Sequence, residues 1–111
     1  MLIHFEDIET EVLPGFRGGE GQYIRKCFSD ENCKIMEGKL EPGSSIGMHT
    51  HTEDYEVIYV ITGNGTIVNE DSREVIKTGS VSYCAPGKTH TVINDGNDDL
   101  IFFAVLPKTA K

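Results

Sequence analysis

Apolar residues in this chain alternate with polar ones or run in short blocks, and turn formers separate the blocks at near-regular intervals. The runs Gln22–Ser29, Cys33–Glu41, Tyr55–Thr62, Gly65–Glu70, Arg73–Thr78, Val81–Ala85, Thr89–Asn94 and Leu100–Leu106 have the length and the β-branched and aromatic content of strands. Between runs lie Pro42-Gly43, Gly63-Asn64-Gly65, Asp71-Ser72, Pro86-Gly87 and Asp95-Gly96-Asn97, each a turn signal. Helical periodicity is almost absent. The pattern predicts an all-β sandwich or barrel, with residues 1–21 forming an N-terminal strand that includes His4, followed by a glycine-rich loop. No internal repeat or second-domain signal interrupts residues 1–111, which close on the short polar end Lys108–Lys111.

Two runs are apolar on both faces. Glu56, Ile58 and Val60 share one side of their strand and Tyr55, Val57, Tyr59 and Ile61 the other, while Leu100–Leu106 is almost continuously apolar. One side of each fills a core. The other needs cover, either from a second subunit or from a terminal strand of the same chain, and the pattern alone does not choose.

The length, 111 residues, suits one domain with a modest core. A formal net charge of −8, with no basic run longer than Arg25-Lys26, argues against nucleic-acid or anionic-membrane partners. The acidic cluster Glu6–Glu11 reads as a solvated edge or loop. The start of the chain lacks a basic n-region and a long apolar h-region, and no run reaches membrane-spanning length, so the expected location is cytoplasmic. Cys27, Cys33 and Cys84 are odd in number and lack CxxC spacing, so they are expected to be reduced thiols, with Cys84 a small filler. In that setting Asn64-Gly65-Thr66 reads as turn chemistry and not as a glycosylation site.

Chemistry concentrates on the histidines. Three of the four fall, with one carboxylate, into the set His49, His51, Glu56 and His90. His49 and His51 are two residues apart, so on a strand both imidazoles project from one face. Glu56 lies on the next strand, and His90 arrives from far along the chain. Imidazoles with a carboxylate suit a divalent first-row ion and leave room for water or substrate.

The segment from Gly43 to Gly63 carries glycine, five residues, His-x-His, four residues, glutamate, six residues and glycine, on Gly43, His49, His51, Glu56 and Gly63. A second pattern falls on Gly79, Ala85, Gly87, His90 and Asn94, within residues 79–94. These resemble the two motifs of the cupin superfamily, small single-domain type, with one departure: Ala85 where proline is usual, Pro86 standing beside it. The resemblance implies a double-stranded β-helix of jelly-roll type, metal-ligand roles for His49, His51, Glu56 and His90, and a homodimer. It implies no particular reaction, because the fold hosts dioxygenases, decarboxylases, isomerases, sugar-binding regulators and storage proteins.

A site of this kind, holding manganese, iron, nickel or zinc, would polarise a bound oxyanion or enolate. The leading expectation is therefore a metal-dependent enzyme acting on a small organic acid or carbonyl compound. A module that binds a small metabolite or sugar without turnover is the alternative, since acid–base candidates are thin, and a purely structural metal is a third. Tyr23, Arg25, Met36 and Ile58 are candidate substrate contacts. Whether Tyr23 and Arg25 or Ile24 and Phe28 face inward is left open by the pattern. The stretch Gly15–Gly21 reads as a flexible loop able to cover the barrel mouth, since no helix follows to make a phosphate cradle.

Overall fold

A computed structural model describes residues 1–109; the last two residues of the polar end, Ala110 and Lys111, lie outside the described residues. Ten strands form two antiparallel sheets: β1 (Glu11–Pro14), β2 (Gln22–Ser29), β3 (Cys33–Leu40), β4 (Ser45–Thr50), β5 (Glu56–Thr62), β6 (Asn64–Asn69), β7 (Arg73–Lys77), β8 (Val81–Cys84), β9 (Thr89–Ile93) and β10 (Leu100–Pro107). One sheet runs β1-β2-β3-β10-β5-β8 and the other β4-β9-β6-β7. Among the described residues, helix is confined to two 3-10 turns, Phe5–Asp7 and Phe16–Gly18.

Alternation places the core between the sheets. Met36 and Leu40 of β3, Ile58 and Val60 of β5, and Leu100, Phe102, Ala104 and Leu106 of β10 point inward, and Ile46, Ile67, Ile76 and Val92 meet them from the other sheet. On β2 the inward side carries Tyr23, whose ring stacks on Phe102 at a centroid distance of 5.9 Å. Register explains the choice, because Tyr23 pairs with Leu40 and Cys27 with Met36, both inward residues of β3.

Three expectations need correction. His4 is not on a strand: it precedes the first 3-10 turn, and β1 begins only at Glu11. Asn64-Gly65-Thr66 is not a hairpin turn, because these residues begin β6, which pairs with β7 and β9 while β5 belongs to the opposite sheet. The glycine-rich loop is docked and not loose. A Cβ on Gly19 would lie 2.1 Å from the Ser45 carbonyl oxygen, and one on Gly47 2.1 Å from that of Arg17, so this approach tolerates only glycine on both sides. At the start of the polar end, Lys108 N–H donates to Asn32 O (2.8 Å) and Thr109 N–H to Glu53 O (2.9 Å).

The doubly apolar strands have different outer surroundings. On β10, Phe103 meets the ring of Phe5 at 6.3 Å, so the N-terminal segment covers part of that face. Across β5 and β8, Tyr59, Ile61, Val81 and Tyr83 remain exposed.

Candidate metal centre

The site is built where the two sheets meet at one end of the sandwich. His49 sits near the end of β4, His51 one residue beyond that strand, His90 on β9 opposite His49, and Glu56 opens β5 in the other sheet. A register shift between Ile46 and His49 bulges β4, so both residues turn inward despite their odd spacing. Within its own sheet, Glu56 pairs with Cys84 of the edge strand β8. The glycines that frame the two motifs, Gly43, Gly63, Gly79 and Gly87, all have φ between +81° and +98°. Their spacing therefore records turns that residues with a Cβ adopt poorly.

The four side chains converge. One ligating atom from each lies within 4.8 Å of all the others. His90 Nε2 is 3.0 Å from His51 Nε2, 3.1 Å from His49 Nε2 and 3.0 Å from Glu56 Oε1, and His51 Nε2 is 3.2 Å from the same oxygen. Donors at right angles around a first-row ion at about 2.1 Å are separated by about 3.0 Å, which these spacings match. Second partners set the tautomers. His49 donates Nδ1–H to Gly47 O at 2.7 Å and His51 donates Nδ1–H to Asp54 Oδ1 at 2.7 Å, so both Nε2 atoms present lone pairs to the centre. Lone pairs held this close repel unless a cation lies among them, and the residues therefore fit a bound divalent ion.

Without a metal, protons take that role. Burial drives the Glu56 carboxyl upward, but hydrogen bonds from His51 and His90 outweigh it and hold the group down at about 2. The bond to Glu56 lifts His51 above the usual imidazole value, burial opposing and Asp54 adding to the rise. Burial pulls His49 below it.

A cavity of about 190 Å³ opens against three of the four converging side chains, His49, His51 and Glu56. Its remaining walls are Phe16, Arg17, Tyr23, Arg25, Lys34, Met36, Ile46 and Leu106. Of the candidate substrate contacts, Tyr23, Arg25 and Met36 thus line it. Ile58 does not; it lies further inward on the same strand face as Glu56 and fills the core at 1% exposure. Tyr23 O–H donates to Met36 Sδ at 3.0 Å, and burial pushes its ionisation far up, so the phenol stays protonated. Arg25 packs over the rings of Phe16 (5.5 Å) and Tyr23 (5.9 Å) and is paired with Glu11 at 2.9 Å.

Three charged residues of the site escaped the sequence reading. Lys34 was detectable, because it stands two before Met36 and shares its strand face. Asp54 was detectable too, standing three residues after His51 in a turn. Arg17 carried no signal, since it reaches the cavity through a left-handed backbone conformation (φ +56°) inside the docked loop.

A sequence profile of the cupin domain matches residues 36–106, well over half of the chain and all four converging residues. The chain belongs to the cupin family. It is similar to an oxalate-binding protein of Thermotoga maritima, with 30% identity over 112 residues that cover 96% of this chain and 93% of that protein. A crystal structure from Thermotoga maritima, described as a predicted oxalate decarboxylase, superposes with a TM-score of 0.91 at 30% identity, covering 98% of this cupin and 100% of the other chain. A double-stranded β-helix protein of Klebsiella pneumoniae, 19% identical, superposes at 0.75 over 99% and 97% of the two chains and supports the fold alone.

Proposed function

We propose that this cupin binds one divalent transition-metal ion (manganese, iron, nickel or zinc) through His49, His51, Glu56 and His90, and a small dicarboxylate of the oxalate class beside it. The observation that carries the ligand class is the cavity wall. In a chain of net charge −8, Arg17, Arg25 and Lys34 converge on the same small space as three of the ligands, and Glu56 contributes its carboxylate to the ion. A cavity this small admits a ligand of few heavy atoms, well below drug size. The name of the Thermotoga maritima relative points to the same class.

A bound ion would supply Lewis-acid polarisation of a carboxylate. The chain's own residues supply the rest: Arg25 and Lys34 orient and neutralise the far carboxylate, Phe16 and Leu106 exclude water, and Tyr23 keeps a proton in the wall. That proton favours turnover as the second reading, with decarboxylation following binding: the C–C bond breaks to release CO2, and a proton completes formate. A homodimer through the exposed Tyr59, Ile61, Val81 and Tyr83 completes the proposal, to be checked by light scattering with Tyr83→Glu.

The test is calorimetric titration of oxalate into protein loaded with Mn2+, into chelator-stripped protein, and into the loaded Lys34→Gln variant. Binding that needs the metal and weakens at least about tenfold in the variant is expected. Oxalate that fails to bind the loaded protein, or binds equally without metal, overturns the reading. Formate and CO2 released by the loaded protein would establish turnover.

A further inference from the structure

Among the described residues, one carries a side chain on a left-handed backbone. Arg17 has φ +56°, while every other residue at positive φ is a glycine, including its neighbours Gly15, Gly18 and Gly21. A Cβ makes this conformation unfavourable, and it persists only where the surroundings over-determine it. Here they do. Gly18 N–H donates to Gly15 O at 2.8 Å and Gly19 N–H to Phe16 O at 2.9 Å, closing the turn, and the Arg17 carbonyl oxygen occupies the space where a Cβ on Gly47 would stand. Glycine would hold this turn without strain, so the loop keeps a side chain at position 17 against its own backbone preference. That side chain lines the cavity beside His49, His51 and Glu56.

We propose that Arg17 is the specificity residue of that cavity, binding the carboxylate turned away from the metal side, so that the site takes small dianions in preference to monoanions. The charges of the walls carry the inference. Arg25 is already paired with Glu11 at 2.9 Å, whereas no carboxylate pairs with Arg17 or Lys34 among the described residues. Both guanidiniums lie over the Phe16 ring, Arg17 at 5.6 Å and Arg25 at 5.5 Å from its centroid, so the unpaired one is held against the cavity wall. A divalent ion together with the Glu56 carboxylate would leave one positive charge for the first carboxylate of a ligand. Lys34 and Arg17 add two more, which a monoanion on the ion does not meet and a second carboxylate does. In a space of about 190 Å³, a ligand of few heavy atoms spans from the converging imidazoles to the opposite wall. Arg17, exposed at the mouth, offers the forked N–H donors that fit a carboxylate, where Lys34 offers a point charge.

This role rests on the metal and dicarboxylate reading above, and the choice of probes separates the two. Calorimetric titrations of oxalate, sulfate and formate into Mn2+-loaded wild type, Arg17→Gly, Arg17→Gln and Arg17→Lys read the affinities, and urea midpoints read the fold. Oxalate affinity should fall at least about tenfold in Arg17→Gly and Arg17→Gln and recover in part in Arg17→Lys, with formate affinity within about twofold throughout. The urea midpoint of Arg17→Gly should equal or exceed that of wild type, because glycine relieves the left-handed strain. Selectivity and stability then move in opposite directions, which a loss of packing does not produce. A lower midpoint in Arg17→Gly would overturn the strain argument, since the side chain would then serve the fold. Oxalate affinity unchanged in Arg17→Gln, or oxalate and formate affinities falling together, would overturn the role of Arg17 while the dicarboxylate reading stands. Sulfate that binds and weakens in Arg17→Gln, beside oxalate that does not bind, would sustain Arg17 and refute the oxalate class. Loaded wild type that binds neither dianion would overturn both.

Discussion

Replacing Asp54 with alanine isolates the support of one ligand without touching the ligand itself. The carboxylate accepts Nδ1–H of His51 at 2.7 Å, a short charge-assisted bond that sets the tautomer and raises the basicity of Nε2. Losing such a partner typically weakens a metal about 10- to 100-fold, or about 1.4 to 2.8 kcal/mol. Asp54 is 25% exposed, so solvent screens part of its charge and the lower half of that range applies, about 10- to 30-fold. Asp54→Asn, which keeps an acceptor oxygen and loses the charge, should fall between the variant and the wild type. Zn2+ competition against a chromophoric chelator reads the affinity, and thermal melts of the metal-free proteins verify that the fold persists. An Asp54→Ala protein that folds normally and holds Zn2+ within about twofold of wild type would refute the reasoning, because His51 would then owe its orientation to packing alone.

Gly38→Ala should destabilise the fold by about 1–3 kcal/mol, read from urea midpoints, since overpacking a filled site forces its neighbours to move. The added Cβ would sit 2.7 Å from Phe102 Cε1 and 2.8 Å from Tyr23 Cε1, and an unchanged midpoint would show that these rings yield freely. For chelator-stripped protein, Glu56 lies below its ordinary value of 4.5, so its stabilisation is present above that pH and is lost as pH falls toward about 2. His51 lies above 6.5, so its contribution is present below that pH and is lost as pH rises through its elevated value. Metal-free stability should therefore peak between these limits; Glu56→Gln should flatten the acid limb, and an identical acid limb would exclude Glu56 as its cause. Cys84, buried and pushed up to about 11, should react with a neutral thiol reagent only after unfolding, whereas fast labelling of Cys84 in native protein would contradict its role as a filler.

What the sequence displays, and what it hides, follows from the physics of each segment. The inward face of β5 was legible because Glu56, Ile58 and Val60 alternate with residues of another surface. β4 escaped the run of strands because its bulge breaks the period of two, leaving its inward residues Ile46 and His49 three positions apart. β1 is four residues long, ends in proline and pairs only on one edge, with β2. On β2, Tyr23, Arg25 and Cys27 alternate with Ile24, Lys26 and Phe28, two sets of similar polarity, and only pairing with β3 distinguishes them. The convergence of His49, His51, Glu56 and His90 was legible because turn glycines and imidazoles are held at fixed spacing. Arg17 was not, because it comes from a separate segment that only the folded chain brings to the cavity.

The central claim is that His49, His51, Glu56 and His90 hold a metal ion. Elemental analysis by inductively coupled plasma mass spectrometry, on untagged protein purified without chelators or metal-affinity resin and beside the His51→Ala variant, tests it most directly. The account predicts close to one equivalent of manganese, iron, nickel or zinc in the wild-type protein and its loss in the variant. Wild-type protein that is metal-free and takes up none of these ions when they are added, or a variant that keeps a full equivalent, would contradict it.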